Sequence, residues 1–195
     1  MHATAAPRSP LALVGGLLTL IRPRQWVKNV FVIAPLIFAG EFLNIASIER
    51  VLLATLVFCI ASSATYIVND LRDIESDRRH PLKSKKRPLA SGQVTVSSAV
   101  VLLLMLYGLL GVAWMLLPDV VYVVLGYMLL NLAYTFVLKH QPVIDIFTIA
   151  MGFVLRVYAG ATALAVPVSS WMFVTTLCLA LYLAAVKRRQ ELASN

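Results

Sequence analysis

Hydrophobic and polar positions along this chain are grouped in long blocks rather than alternating residue by residue. Apolar blocks of roughly 17 to 25 residues can cross about 30 Å of hydrocarbon as α-helices, whereas membrane-spanning β-strands would alternate over roughly ten residues. The pattern therefore predicts an all-α integral membrane protein, a bundle of about six transmembrane helices. The predicted spans are residues 27–42, 51–68, 94–117, 120–138, 144–166 and 171–186.

Two short polar breaks separate consecutive spans. Pro118 and Asp119 lie between the third and fourth spans, and residues 167–170 lie between the last two. Such short turns favour antiparallel neighbours in one transmembrane domain covering residues 1–195, after a short flexible N-terminus.

The apolar run at residues 11–21 is too short to span a membrane. It resembles the core of a signal peptide, but Arg22 and Pro23 follow where a small-residue cleavage site would be needed. We therefore predict an uncleaved interfacial helix before the first span.

Composition agrees with a membrane location. Hydrophobic residues make up 60% of the chain and charged residues 13%, so a soluble domain of this size would expose more apolar surface than usual. Cys59 and Cys178 lie inside apolar blocks without a CxxC pattern, which predicts small core residues.

The net charge of +8 could favour nucleic acid, but the basic residues lie in short segments between apolar blocks, as in topology signals. We therefore predict no nucleic-acid partner. With a cytoplasmic N-terminus, the opposite face carries Arg50 alone, which predicts a multi-pass protein of the inner (plasma) membrane with its chemistry on the cytoplasmic side. That side would hold Arg8, Arg22, Arg24, Lys28, Arg72, Arg78, Arg79, Lys83, Lys85, Lys86, Arg87, Lys139, Lys187, Arg188 and Arg189.

Three aspartates follow the second span at helical spacing. Asp70, Asp73 and Asp77 would lie within about 60° of one another on a continuing helix, whereas Glu75 would point to another side. Clustered carboxylates repel unless a cation joins them, and Mg²⁺ prefers a few carboxylates together with phosphate oxygens. The segment predicts a Mg²⁺–diphosphate site, with a solvated charged loop as the alternative.

Residues 78–88 form a basic loop with two prolines. Beside carboxylates, its side chains can bind diphosphate oxygens that metal does not hold. A purely topological role for this charge is the alternative.

Asp145, Gly152 and Arg156 lie within about 20° of one line along the fifth span. Ionisable residues at membrane depth usually face a bundle interior or cavity, so Arg156 is a candidate for binding an anionic headgroup. A direct Asp145–Arg156 link is the structural alternative, but the rise of roughly 16 Å between them disfavours it.

Asn69-Asp70-xx-Asp73-xxx-Asp77 resembles the first aspartate-rich motif of the UbiA-type polyprenyltransferase superfamily, whose members are helical, Mg²⁺-dependent and membrane-embedded. Five further segments are similar to those of decaprenyl-phosphate phosphoribosyltransferases in that superfamily. They are residues 22–29, 80–88, 134–145, 152–160 and 187–192.

The resemblance implies transfer of 5-phosphoribosyl from phosphoribosyl pyrophosphate to a polyprenyl (decaprenyl) phosphate, releasing pyrophosphate and supplying a precursor for cell-wall arabinan. It implies Asp70, Asp73 and Asp77 as Mg²⁺ ligands. It further implies catalytic roles for Asp73, Asp77, Lys28 and Arg156. The implied substrate-binding residues are Asn69, Lys83, Arg87, Tyr134, Lys139, Asp145, Lys187 and Arg188. A topological cluster is the alternative for residues 187–191.

Two other functions stay open at this point. A UbiA-type enzyme that joins a prenyl diphosphate to an aromatic acceptor would use the same carboxylates. A transporter would also place charges inside a helical bundle, although its polar path should reach both faces. The resemblance further implies about nine spans, so that the C-terminal third would be absent after the six predicted here.

Overall fold

The computed structural model describes residues 9–136 and 142–193, which form helices and turns without a strand. The long helices follow short elements that begin near residue 10. In chain order the elements are α1 (Pro10–Leu20), a 3₁₀ helix (Pro23–Val32), α2 (Ala34–Phe38), α3 (Ile45–Arg72), α4 (Ile74–Arg79), α5 (Lys83–Lys86), α6 (Val96–Leu116), α7 (Pro118–Phe136), α8 (Pro142–Ala163) and α9 (Ser170–Ala193).

Five of the described helices are long and apolar enough to cross a membrane. They are α3, α6, α7, most of α8 (Val143–Ala163) and most of α9 (Ser170–Gln190). These five correspond to the last five spans predicted from the sequence, with ends displaced by up to seven residues. The all-α, multi-pass architecture is therefore confirmed.

The first predicted span, residues 27–42, is not one α-helix. The chain instead forms the 3₁₀ helix Pro23–Val32 and then the short helix α2. Pro35 explains the break, because it has no N–H and its ring clashes with the carbonyl four residues earlier in a continuous α-helix. The sequence carried this signal in the middle of the predicted span.

The chain forms two compact units, each made of two stretches. The first contains Met1–Arg24 and Ser63–Gly108, and the second contains Gln25–Ser62 and Leu109–Asn195. The single domain expected from the sequence stays a prediction.

Helix α1 packs within the first unit rather than standing alone. Leu20 is buried in a cluster with Ile67 and Val94, and a Cβ added to Gly16 would lie 2.6 Å from the Val94 side chain. Gln93 Nε2 also donates a hydrogen bond to the Ala12 carbonyl at 3.1 Å. The helix predicted at residues 11–21 is therefore present, and its place at a membrane interface stays a prediction.

The second unit is built around α8, which packs against α2, α7 and α9. Its core includes Phe58 of α3 and Tyr127 of α7, whose ring centres lie 4.7 Å apart. Gly160 of α8 allows a close approach, because a Cβ there would lie 1.9 Å from the Val32 carbonyl oxygen. The end of the 3₁₀ helix is thus held directly against the α8 backbone.

Candidate functional site

The aspartate segment keeps its helical geometry across a break. Helix α3 ends at Arg72 and Asp73 precedes α4, but the amides of Asp73 and Asp77 still bond the carbonyls four residues earlier, at 3.0 and 2.8 Å. Asp70 and Asp77 are buried. Glu75 is exposed and pairs with Arg78 at 2.9 Å, so the burial follows the pattern expected from the i, i+3, i+7 spacing.

Asp70 is held by two arginines through one oxygen. Its Oδ1 accepts hydrogen bonds from Arg22 Nη2 and, at 2.5 Å, from Arg87 Nη1. Its Oδ2 is buried and has no hydrogen-bond partner among the described residues. A buried carboxylate oxygen without a donor is costly, so this atom is available to a cation.

Arg22 reaches Asp70 from a strained backbone position. Its φ is 52°, in the left-handed region, which costs about 1–2 kcal/mol for a residue other than glycine. Ser63 Oγ donates to the preceding Ile21 carbonyl at 2.8 Å, and the Arg22 guanidinium lies 4.9 Å from the centre of the Tyr66 ring. Backbone strain of this kind is concentrated at functional positions.

From the sequence, Arg22 is predicted to be a topology signal and not a site residue. The residue lies 48 positions from Asp70, and no helical spacing connects them. The positive φ is equally invisible in the sequence, so only the folded chain reveals this contact.

The predicted basic loop does contribute to this segment. Lys83 Nζ lies 3.5 Å from Asp77 Oδ1, and Arg87 reaches Asp70 as described above. Both cations therefore lie at the carboxylates, as a diphosphate site requires. Lys85 and Lys86 are exposed.

The carboxylates fit a metal that is shared with a substrate. Within the described part of the chain, no three His, Cys, Asp or Glu side chains gather as a ready-made metal cage. Mg²⁺ is usually held by one or two carboxylates, waters and substrate phosphates rather than by protein alone. The unpartnered Asp70 Oδ2 and the buried Asp77 match that donor set.

In the second unit, Arg156 of α8 is enclosed by aromatic rings. Its guanidinium carbon lies 5.1, 5.0 and 5.4 Å from the ring centres of Phe58, Tyr127 and Phe153. The residue is only 4% exposed, and no carboxylate among the described residues lies within ion-pair distance. A buried cation balanced by dipoles and π-faces alone suits an anionic ligand.

Neutral groups fix the orientation of Arg156. Its Nε donates to Asn29 Oδ1 and its Nη1 to the Gly152 carbonyl, both at 2.9 Å. Asn29 is fully buried and its Nδ2 donates to Cys59 Sγ at 3.2 Å. A Cβ at Gly152 would lie 3.3 Å from Arg156 Nη1, so the glycine provides room for the guanidinium.

A second polar group in this unit surrounds Asp145. The Tyr134 hydroxyl donates to Asp145 Oδ1 at 2.5 Å, and Arg188 Nη1 lies 3.9 Å from Oδ2. Asp145 thus has its own cation. It does not pair with Arg156, as expected from the roughly 16 Å that separate the two residues along a helix. Arg188 thus lies at a buried carboxylate, and its role in substrate binding and the topological alternative both stay predictions.

The remaining predicted site residues occupy defined places. Lys28 and Asn69 are partly buried, in the 3₁₀ helix and the last turn of α3, and Lys187 is exposed in α9. Lys139 lies outside the described residues.

The sequence is similar to those of known proteins over most of its length. A decaprenyl-phosphate phosphoribosyltransferase from Mycobacterium tuberculosis is 40% identical over 198 residues, covering 98% of this chain and 65% of that protein. The protein of the same name from Mycolicibacterium smegmatis is 41% identical over 200 residues, covering 97% and 60%. The chain therefore spans 60 to 65% of the length of these two relatives.

The fold has a counterpart among solved structures. A UbiA homolog from Archaeoglobus fulgidus, bound to GPP and Mg²⁺, superposes with a TM-score of 0.67 at 23% identity, covering 85% of this chain and 60% of that one. At this identity the match concerns the fold alone. The profile of the UbiA prenyltransferase family matches residues 29–192. This chain therefore belongs to the UbiA prenyltransferase family.

Proposed function

We propose that this protein transfers 5-phosphoribosyl from phosphoribosyl pyrophosphate to a polyprenyl (decaprenyl) phosphate and releases pyrophosphate. The observation that carries this choice is the 40–41% identity, over 97–98% of the chain, to two decaprenyl-phosphate phosphoribosyltransferases. The carboxylates and cations around Asp70 and Asp77 support it, because they suit a diphosphate leaving group. The lipid product would supply pentose for cell-wall arabinan.

In the proposed reaction, an oxygen of the lipid phosphate bonds to the anomeric carbon while the bond from that carbon to pyrophosphate breaks. A phosphate monoester carries most of its second negative charge at neutral pH. The nucleophile is therefore already ionised, and no side chain is required as general base. The protein's main task is to stabilise negative charge on the departing pyrophosphate.

The donor would be bound by the aspartate segment and the basic loop. Asp70, Asp73 and Asp77 would hold Mg²⁺, with Asn69 assisting. When bound, the metal neutralises charge on the pyrophosphate oxygens. Lys83 and Arg87 would donate hydrogen bonds to those oxygens, for which a guanidinium is well shaped.

Substrate-binding roles are also proposed for residues of the second unit. Arg156 would orient a phosphate or the lipid headgroup, because its charge has no carboxylate partner among the described residues. Lys28 and Lys139 would also bind phosphate. Asp145, supported by Tyr134 and Arg188, would accept hydrogen bonds from ribose hydroxyls, and Lys187 would assist substrate binding.

The chemistry would occur at the cytoplasmic side of the inner (plasma) membrane. The support is the excess of Lys and Arg in the segments around residues 22–28, 72–87 and 187–189. Phosphoribosyl pyrophosphate, a soluble anion, would reach these segments from the cytoplasm.

A label-transfer assay tests this function. The full chain in proteoliposomes receives decaprenyl phosphate, Mg²⁺ and phosphoribosyl pyrophosphate labelled in the ribose carbons. We expect label in the lipid extract that requires both the lipid phosphate and Mg²⁺. Absence of lipid-bound label, or transfer only from a prenyl diphosphate to a phenol in a parallel reaction, would contradict the proposal.

A further inference from the structure

We infer that Arg22 and Arg87 are exchangeable counter-ions of Asp70, which make metal binding at this carboxylate conditional on a diphosphate. This inference rests on the Mg²⁺–diphosphate role proposed above for Asp70. It also gives Arg22 a function in the reaction that its sequence position does not indicate.

The carboxylates of the aspartate segment already have cationic partners in the folded chain. Among the described residues, Arg22 and Arg87 pair with Asp70, and Lys83 pairs with Asp77. A divalent cation arriving alone therefore meets Asp70 and Asp77 with their charge already offset. It can reach the unpartnered Asp70 Oδ2, but the two guanidiniums on Oδ1 repel it and compete for the charge of the same carboxylate.

A diphosphate changes which partners the two arginines can bind. Guanidinium groups bind phosphate oxygens at least as readily as carboxylates, often through two parallel hydrogen bonds. A diphosphate offers Arg22 and Arg87 new partners and brings negative charge that offsets the metal. Asp70 can then turn fully toward the cation, so the two ligands should bind cooperatively.

The two arginine side chains can exchange partners, whereas the buried Asp70 carboxylate cannot move away. The Arg22 and Arg87 side chains are 23% and 30% exposed, whereas the Asp70 side chain is 5% exposed. The Arg22 backbone is fixed by the Ser63–Ile21 hydrogen bond, and its guanidinium lies beside the Tyr66 ring. Arg22 is thus accessible at its charged end and held in place at its base.

Equilibrium dialysis of the full chain in detergent measures this coupling without turnover. Bound Mn²⁺, used in place of Mg²⁺, is counted at known free Mn²⁺ with and without inorganic pyrophosphate. We expect pyrophosphate to tighten Mn²⁺ binding by about tenfold or more, within the usual range of coupling between sites. Linkage requires Mn²⁺ to tighten binding of radiolabelled pyrophosphate by the same factor.

The Arg22→Met variant distinguishes this mechanism by the direction in which it changes Mn²⁺ affinity. Removing one competing guanidinium should strengthen Mn²⁺ binding in the absence of pyrophosphate and reduce the coupling factor. Arg24→Met is the matched control, because Arg24 is exposed, two residues away, and makes no ion pair with the described residues. It should leave both quantities unchanged.

The inference is overturned if Mn²⁺ binds equally well with and without pyrophosphate, or if Arg22→Met binds Mn²⁺ alone no better than the unmodified chain. Should Arg22→Met not fold, Arg87→Met removes the other guanidinium from the same oxygen. It should likewise strengthen Mn²⁺ binding in the absence of pyrophosphate. The proposed function fails on a different readout. Cooperative Mn²⁺–pyrophosphate binding without transfer of labelled ribose would remove the function and leave the coupling intact.

Discussion

Asn29 Oδ1 accepts a hydrogen bond from Arg156 Nε at 2.9 Å, although 127 residues separate the two along the chain. The contact joins the 3₁₀ helix to α8 through a neutral acceptor. Within its cage of aromatic rings, Arg156 therefore has a neutral hydrogen-bond partner and no carboxylate partner among the described residues. Its positive charge is what we propose to bind a substrate phosphate.

Replacing Asn29 with aspartate should cancel that charge with little change in shape. The Asn29→Asp side chain can accept the same hydrogen bond, but it adds a carboxylate next to the guanidinium. We expect the KM for the lipid phosphate to rise by at least about tenfold, which corresponds to 1.4 kcal/mol of lost binding. Initial rates at varied lipid concentration measure this change.

Asn44→Asp is the control for the same chemical change. Asn44 is exposed and its Oδ1 accepts from the amides of Ala46 and Ser47 at the start of α3, which an aspartate oxygen can also do. The variant loses the Asn44 Nδ2 hydrogen bond to Glu41 Oε2, but this exposed change is not next to Arg156. This variant should keep the original KM. A similar KM for both variants would show that Arg156 does not bind the phosphate.

Replacing three neighbouring carboxylates of the aspartate segment should have unequal effects on transfer. Asp73→Ala and Asp77→Ala should abolish Mg²⁺-dependent transfer, because both carboxylates belong to the proposed metal and diphosphate site. Glu75→Ala should retain activity, since Glu75 is exposed and pairs only with Arg78 among the described residues. Transfer rates over a Mg²⁺ titration test this. Equal losses in all three variants would show that Asp73 and Asp77 do not share a side of the segment from which Glu75 is excluded.

The Tyr134 hydroxyl is predicted to stabilise Asp145. Tyr134→Phe removes a 2.5 Å hydrogen bond to a buried carboxylate, at a cost of about 1–3 kcal/mol. Thermal unfolding in detergent should therefore shift to lower temperature. Tyr122→Phe, in the same helix, should cause no shift, because Tyr122 is 59% exposed and its hydroxyl bonds no described residue. Equal unfolding temperatures for the two variants would argue against the Tyr134 contact.

Gly160 should tolerate no side chain. The Gly160→Ala methyl would lie 1.9 Å from the Val32 carbonyl oxygen, so the 3₁₀ helix must shift, at a cost of about 1–3 kcal/mol. We expect a lower unfolding temperature. Gly126→Ala is the comparison, since nothing lies within 4 Å of its added Cβ. Equal unfolding temperatures for Gly160→Ala and Gly126→Ala would show that the Val32 carbonyl does not lie this close to Gly160.

The sequence predicted the long helices because continuous apolar blocks report directly on burial in a membrane. It missed the 3₁₀ helix, since apolar content does not distinguish one helix type from another and Pro35 was the only local signal. Relations along one helix were also accessible. The different burial of Asp77 and Glu75 and the space at Gly152 beside Arg156 both follow from spacing.

Contacts between distant segments could not be predicted from apolar blocks or from helical spacing. The Arg22–Asp70 and Asn29–Arg156 pairs depend on how elements far apart in the chain are brought together. The left-handed backbone of Arg22 has the same origin, because it is maintained by surrounding contacts and not by local preference. The resemblance implied a substrate-binding role for Arg188, but its contact with Asp145 could not be predicted from the sequence.

Mass spectrometry of the lipid product tests the central claim most directly. Proteoliposomes containing the full chain are incubated with decaprenyl phosphate, phosphoribosyl pyrophosphate and Mg²⁺, and the lipids are extracted. We predict a lipid heavier than decaprenyl phosphate by one phosphoribosyl group, formed with one pyrophosphate per molecule. Decaprenyl phosphate recovered unchanged, while the same preparation prenylates a phenol from a prenyl diphosphate, would contradict the account.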